Sequence, residues 1–146
     1  MAVGECNAAM GRIVAAPTAG ASGVLPGVFF ALKECRGLTD KELNRGLVVA
    51  GSIGLVIADR ASLAGATGGC QAECGSAAAM AAGAVVSMLG GTPKQIGDAV
   101  AIVFKNVLGL VCDPVAGLVE VPCIKRKTHL RLVGVHGNEC HIHWHM

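Results

Sequence analysis

The sequence predicts an all-α fold, a compact bundle of closely packed helices rich in alanine and glycine. Its 146 residues include 21 glycines, and alanine is about as common. Aromatic residues make up only 3% of the chain, so its core must form by close approach of backbones rather than by burial of large rings. The alternating β-branched and aromatic residues that favour strands are also lacking. The length fits one ordinary domain.

The N-terminal quarter predicts two helices joined by a loop. Glu5–Ala16 is short and rich in small residues, and Pro17 ends it, because proline disfavours a helical residue before it. The composition of Pro17–Gly23 is that of a loop. Leu25–Cys35 then resumes as an apolar helix and ends in basic residues before Gly37, as helix C-termini commonly do.

The middle of the chain predicts two longer helices. Thr39-Asp-Lys-Glu42 is a capping box that opens a helix running to about Leu63. Gly65–Gly69 predicts a flexible loop leading to Cys70. Gln71–Leu89 is an alanine-rich helix that Gly90-Gly91 terminates.

A last helix follows, and then the composition of the chain changes. Thr92-Pro93-Lys-Gln95 combines an N-cap, a proline in the first turn and a glutamine at N3, and it starts a helix that runs to about Leu108. All five histidines lie after Arg126. We therefore expect a core over residues 1–126 and a divergent, disordered, His-rich tail over 127–146. Zinc or nickel binding by Cys140, His141, His143 and His145 is the alternative reading of that tail.

Charge and cysteine content narrow the class of protein. The net charge of +2 is too small for a nucleic-acid-binding surface. Seven cysteines, an odd number in a chain that shows no export signal, indicate thiols or metal ligands rather than a disulfide framework. We expect a cytoplasmic protein.

Two uncharged runs of twenty residues, Ile13–Leu32 and Cys74–Pro93, raise the alternative of a small-residue helical membrane protein. The first run contains Pro17 and Pro26, which break a helix in mid-membrane. The second is mostly alanine, glycine and serine, which drive insertion weakly. These features favour a protein without membrane spans.

Cys70, Cys112 and Cys123 share a context, because each lies at a turn marked by glycine or proline. Thiolates that bind a metal need irregular backbone on which several of them converge. Their spacing matches no zinc-ribbon or ferredoxin pattern, and on spacing alone three buried cysteines packing as small hydrophobic residues remain the commoner reading. Cys74 lies one helical turn after Cys70, a spacing that fits a ligand pair but is usually incidental.

The Pro17–Gly23 loop offers consecutive backbone amides beside a helix start, a geometry that binds anions. It has neither the lysine nor the glycine spacing of nucleotide-binding loops. A plain connecting loop is the alternative interpretation.

Four motifs, taken together, resemble the alpha chain, or catalytic domain, of bacterial iron–sulfur L-serine dehydratases. The resemblance covers about Gly4 to Arg126. The motifs are long and specific: NAAMGRIVAAPTAGASGVLPG at 7–27, GGCQAECGS at 68–76, LGGTP at 89–93 and NVLGLVCDPVAGLVEVPCIKR at 106–126.

The resemblance implies an all-helical catalytic domain that holds a [4Fe–4S] cluster through three cysteines, matched here by Cys70, Cys112 and Cys123. It replaces the reading of these residues as buried hydrophobes, and it places no ligand at Cys74. Three thiolates on four irons leave one iron open as a Lewis acid. The implied reaction is the dehydration of L-serine to pyruvate and ammonia without pyridoxal phosphate, a step of amino-acid catabolism and gluconeogenesis.

The amide-rich composition of the Pro17–Gly23 loop supplies a hypothesis for the substrate site. We expect the substrate carboxylate to meet the backbone amides of this loop and the hydroxyls of Thr18 and Ser22. The full predicted set of substrate-binding residues is Thr18, Gly20, Ala21, Ser22 and Gly23.

Departures from the family define three further expectations. Helical stretches that flank these motifs in the family are not matched here, and neither is the beta part, whose Ser-His-Thr motif is implicated in proton removal. We therefore expect a beta-chain partner in a heterodimer or higher oligomer, a catalytic base supplied by that chain, and no activity of this chain alone. A catalytically inactive remnant, truncated or frameshifted, is the alternative.

Overall fold

The computed structural model describes residues 2–112, 114–117 and 125, and five helices lie in that part of the chain. They are α1 (Ala2–Ala8), α2 (Val24–Arg36), α3 (Asp40–Arg60), α4 (Gly65–Met88) and α5 (Pro93–Val107). Helix α4 is central and packs against α2, α3 and α5. The predicted all-α class is confirmed.

Helix α4 is buried almost throughout from Cys74 to Met88, and its small side chains allow the neighbouring helices to approach closely. At four contacts a longer side chain of one helix rests on a glycine of the next, where an added Cβ would collide with it. Such contacts bring helix backbones together and give the core the density of a well-packed interior. The four pairs are Met80 on Gly54, Met88 on Gly46, Val107 on Gly75 and Ile53 on Gly83.

Helix α1 ends earlier than the sequence predicts. It stops at Ala8, and Met10 adopts a left-handed conformation with φ of 60°. The N–H of Gly11 donates to the Cys6 carbonyl at 2.7 Å, and the N–H of Met10 donates to the Asn7 carbonyl at 3.1 Å. This is the Schellman pattern, which usually has glycine in the left-handed position. Because methionine rather than glycine occupies this position, the sequence pattern does not indicate that α1 ends here.

The predicted starts of α3 and α5 are confirmed, since both helices begin with complete capping boxes. The Thr39 side chain accepts from the Glu42 N–H, and the Glu42 carboxylate accepts from the Thr39 N–H at 2.8 Å. Thr92 and Gln95 repeat this arrangement with an uncharged partner. The backbone and hydroxyl hydrogen bonds from Thr39 lower the pKa of Glu42 below its usual value.

The outer faces of the helices expose apolar side chains. An open groove of about 820 Å³ runs between α3, α4 and α5 and is lined mostly by aliphatic residues. Leu55, Val56 and Ile102 are more than half exposed. No helix in the described residues is both long enough and apolar enough to cross a bilayer.

The two predicted N-caps provide a test of the capping interactions. We expect Thr92→Ala to lower the free energy of unfolding by about 1 kcal/mol at any pH, because Gln95 does not titrate. Thr39→Ala also destabilises the chain at neutral pH. Since the pKa of Glu42 is lowered in the folded state, its contribution is present above the unfolded value and is lost as pH falls through the folded value.

The measurement is urea unfolding of both variants, followed by circular dichroism from neutral to acidic pH. The destabilisation by Thr39→Ala should shrink on acidification, while that by Thr92→Ala stays constant. Parallel behaviour of the two variants would contradict this assignment of the pKa shift.

Candidate functional site

The site begins at a break in the central helix. Gly69, inside α4, has φ of 71° and ψ of −165°, which is not helical. Residues 65–69, predicted as a loop, therefore form a single helical turn and a kink, and a continuous helix runs from Cys70 to Met88. A positive φ favours glycine strongly, because other residues clash with their own backbone there. Cys70 thus lies at the start of the continuous part of α4.

The chain that follows α5 crosses this break. The Gln71 N–H donates to the Leu110 carbonyl at 2.8 Å, and the Gly109 N–H donates to Gln71 Oε1 at 2.8 Å. A Cβ on Gly69 would lie 3.2 Å from the Leu110 oxygen and 3.4 Å from the Cys112 nitrogen. Two segments that are some forty residues apart in sequence therefore meet backbone to backbone at Gly69.

This crossing brings two of the three predicted metal ligands to one place. Cys70 follows Gly69 directly and is 4% exposed, whereas Cys112 is exposed and its nitrogen faces Gly69. Neither cysteine forms a disulfide. Cys123 and the predicted tail at 127–146 lie outside the described residues. Within the described part no three metal-binding side chains form a group, and the assignment of Cys70, Cys112 and Cys123 as metal ligands stays a prediction.

The remaining described cysteines lie elsewhere. Cys74 is fully buried in the core cluster, Cys35 is exposed on α2, and the Cys6 thiol donates to the Arg12 carbonyl at 3.6 Å. Cys70 and Cys112 carry the soft sulfur atoms that iron–sulfur clusters require as ligands. Both cysteines also lie next to the non-helical backbone at Gly69.

A second segment reaches the same helix from the N-terminal side. The Thr18 hydroxyl donates to Glu73 Oε1 at 2.6 Å, and Glu73 lies one helical turn after Cys70. A Cβ on Gly20 would collide with the Glu73 carboxylate, and one on Gly65 would lie 2.7 Å from Oε2. The Pro17–Gly23 loop is thereby held against the cysteine-bearing helix.

The hydrogen bonds inside the loop show which of its donors are available. The N–H groups of Ala21 and Ser22 donate within the loop at 3.3 Å, and the Ser22 hydroxyl, in a side chain that is 1% exposed, donates to the Ala19 carbonyl at 2.7 Å. Gly23 precedes the first residue of α2. Among the described residues, nothing accepts a hydrogen bond from the N–H groups of Thr18, Ala19 and Gly20. Successive N–H groups of this kind bind anions.

Comparison with known proteins identifies the family. Residues 1–131 match the family described as the serine dehydratase alpha chain. The chain belongs to this family. The predicted resemblance is therefore confirmed, and the match continues slightly beyond the predicted boundary at residue 126.

Individual members of the serine dehydratase alpha-chain family are similar over most of this chain. It is 60% identical over 126 residues to a probable L-serine dehydratase alpha chain of Bacillus subtilis (strain 168), covering 86% of this chain and 42% of that protein. It is 53% identical to the corresponding protein of Latilactobacillus sakei, with coverage of 86% and 60%. It is 55% identical to the L-serine dehydratase alpha chain of Peptoniphilus asaccharolyticus, with coverage of 84% and 42%. The chain thus spans about half the length of these relatives.

Sequence reasoning missed Glu73, which joins the loop to the helix. The available signal was its position, because an acidic residue stands between Cys70 and Cys74 in an otherwise uncharged helix. Its partner Thr18 is 55 residues away, and no local pattern reports a contact of that range.

Substitution of Gly69 tests the crossing. We expect Gly69→Ala to destabilise the chain by about 1–3 kcal/mol, because a φ of 71° with a ψ of −165° is a conformation that essentially only glycine adopts. The added methyl group also presses on the Leu110 carbonyl. Urea unfolding of the variant measures this loss.

Gly97→Ala is the matched control. Gly97 is exposed on α5, and an added Cβ there meets nothing within 4 Å. Alanine at an unstrained helix position stabilises by about 0.5–1 kcal/mol relative to glycine. Equal effects of the two substitutions would contradict the geometry at Gly69.

Proposed function

We propose that this chain forms the cysteine-bearing part of an iron–sulfur L-serine dehydratase, which converts L-serine to pyruvate and ammonia together with a beta chain. The observation that carries the proposal is the crossing at Gly69, which brings the backbone of Cys112 beside the residue that precedes Cys70. The helix that starts there also meets the Pro17–Gly23 loop, through the Thr18–Glu73 hydrogen bond. The names of the relatives support the reaction, and their alpha-chain designation supports a beta-chain partner.

The cofactor in this proposal is a [4Fe–4S] cluster held by Cys70, Cys112 and Cys123. When bound, it supplies a Lewis-acidic iron that assists departure of the substrate hydroxyl, so pyridoxal phosphate is not needed. The described residues fit this role, because the Cys112 backbone lies beside Gly69, the residue before Cys70, and neither cysteine forms a disulfide.

The loop from Pro17 to Gly23 has the task of orienting the substrate. The N–H groups of Thr18, Ala19 and Gly20 point to binding of the substrate carboxylate. Ala21, Ser22 and Gly23 complete the turn and hold it against α2. The base that removes the Cα proton comes from the beta chain in this proposal.

The partner and the cell compartment follow from the same proposal. The exposed aliphatic side chains of α3 and α5 and the groove between these helices need a covering surface, which the rest of the alpha chain or the beta chain provides. Thiolate ligands are stable in a reducing compartment, which favours the cytoplasm. On its own the chain is expected to be inactive.

Anaerobic reconstitution with iron and sulfide tests the cluster. We expect the chain to take up iron and to develop the visible absorbance of an iron–sulfur cluster. Cys70→Ser and Cys112→Ser should each remove most of that absorbance, because serine is a much harder ligand than thiolate. Cys35→Ser, which replaces an exposed cysteine on α2, is the control and should leave the absorbance unchanged.

Pyruvate formation from L-serine, assayed anaerobically after mixing with a beta chain, tests the activity. Conversion that requires both chains supports the proposal. A chain that folds and binds a cluster but yields no pyruvate with the beta chain fits the inactive remnant instead. Equal absorbance in wild type and in both ligand variants would exclude the cluster site.

A further inference from the structure

The Glu73 carboxylate lies at the junction between the Pro17–Gly23 loop and the cysteine-bearing helix. Oε1 accepts the Thr18 hydroxyl at 2.6 Å, and the glycines at 20 and 65 leave room for the carboxylate between them. Glu73 is three residues after Cys70, so both side chains occupy the same face of α4, about one turn apart. The carboxylate therefore borders the proposed cluster site.

The described residues do not supply a positive partner for this charge. The ion pairs in the described part join Lys33 to Asp40, Arg60 to Asp59 and Lys94 to Asp98, and none includes Glu73. A partly buried carboxylate is stabilised by a cation far more than by one neutral hydroxyl alone. The position is therefore suited to a cationic ligand.

The direction of the Thr18 hydrogen bond strengthens this argument. A hydroxyl has a single proton, and Thr18 donates it to Glu73, so Thr18 Oγ1 offers only lone pairs to a ligand. On the same segment, the N–H groups of Thr18, Ala19 and Gly20 offer only donors. The site therefore offers two distinct sets of groups. The oxygens of Glu73 and Thr18 accept hydrogen bonds, and the backbone N–H groups of residues 18–20 donate them.

A zwitterionic α-amino acid presents the complementary arrangement, because its ammonium group donates and its carboxylate accepts. We propose that Glu73 and Thr18 Oγ1 bind the ammonium group of the substrate, while the Thr18–Gly20 amides bind its carboxylate. This inference rests on the proposed function. It assigns the Thr18 hydroxyl to the ammonium group, whereas from the sequence we expect that hydroxyl to meet the carboxylate. Glu73 becomes the residue that selects amino acids over hydroxy acids.

The test uses the reconstituted complex with its beta chain and compares Glu73→Gln with wild type. Glutamine keeps the size of the side chain and removes its charge. We expect the KM for L-serine to rise about 10- to 100-fold, the usual effect of losing a charge-assisted hydrogen bond. The value of kcat should stay within about threefold, because the ammonium contact is made equally in ground state and transition state.

Glycerate is the probe that separates ammonium binding from a structural role. It keeps the carboxylate and the β-hydroxyl of serine but carries an α-hydroxyl in place of the ammonium group. Competitive inhibition by glycerate should weaken much less than L-serine binding in Glu73→Gln. A KM for L-serine within about threefold of wild type, or equal weakening for both compounds, overturns the inference.

Three further variants keep the test decisive. Glu34→Gln removes an exposed acid on α2 and should leave the KM unchanged. If Glu73→Gln fails to fold, Thr18→Val removes the second acceptor and should raise the KM, while Thr18→Ser restores it. If wild type makes no pyruvate, the proposed function fails, and the Glu73 inference is then decided by calorimetric binding of L-serine to wild type and to Glu73→Gln.

Discussion

The close approach of two backbones at Gly69 is the constraint on which the site depends. The Leu110–Cys112 segment crosses α4 where an added Cβ would be in tight contact with it, and the left-handed φ of Gly69 turns the chain to admit that segment. Gln71 then fixes the crossing from both its backbone and its side chain. The position of Cys112 relative to Cys70 follows from these contacts.

The same use of small residues builds the core that supports the site. Helix α4 packs against three other helices, and at its contacts with α3 and α5 a side chain of one helix rests on a glycine of the other. The carboxyl end of α4 is held as well, because Arg45 donates to the carbonyls of Ser87 and Met88. A helix fixed along its length and at its end presents Cys70 and Glu73 in a defined orientation.

Local patterns in the sequence were enough to predict most of the fold. The capping boxes at Thr39 and Thr92 and the Gly90-Gly91 stop mark helix ends through hydrogen bonds between near neighbours, which a short window contains. The end of α1 was not predicted, because Met10 takes a position usually filled by glycine. The kink at Gly69 and the Thr18–Glu73 hydrogen bond were not predicted, because both depend on segments that are far apart in the chain. The family resemblance, rather than spacing, singled out Cys70 and Cys112.

Three segments form the proposed site: the amide-rich loop Pro17–Gly23, the part of α4 that starts at Cys70, and the Leu110–Cys112 segment after α5. Its most direct test is the Mössbauer spectrum of the complex with its beta chain, reconstituted with iron enriched in the Mössbauer-active isotope and titrated with L-serine. If substrate held by the loop lies beside the thiol pair, saturating L-serine changes the spectrum of part of the iron. An unchanged spectrum, with L-serine binding shown independently, would contradict a single shared site.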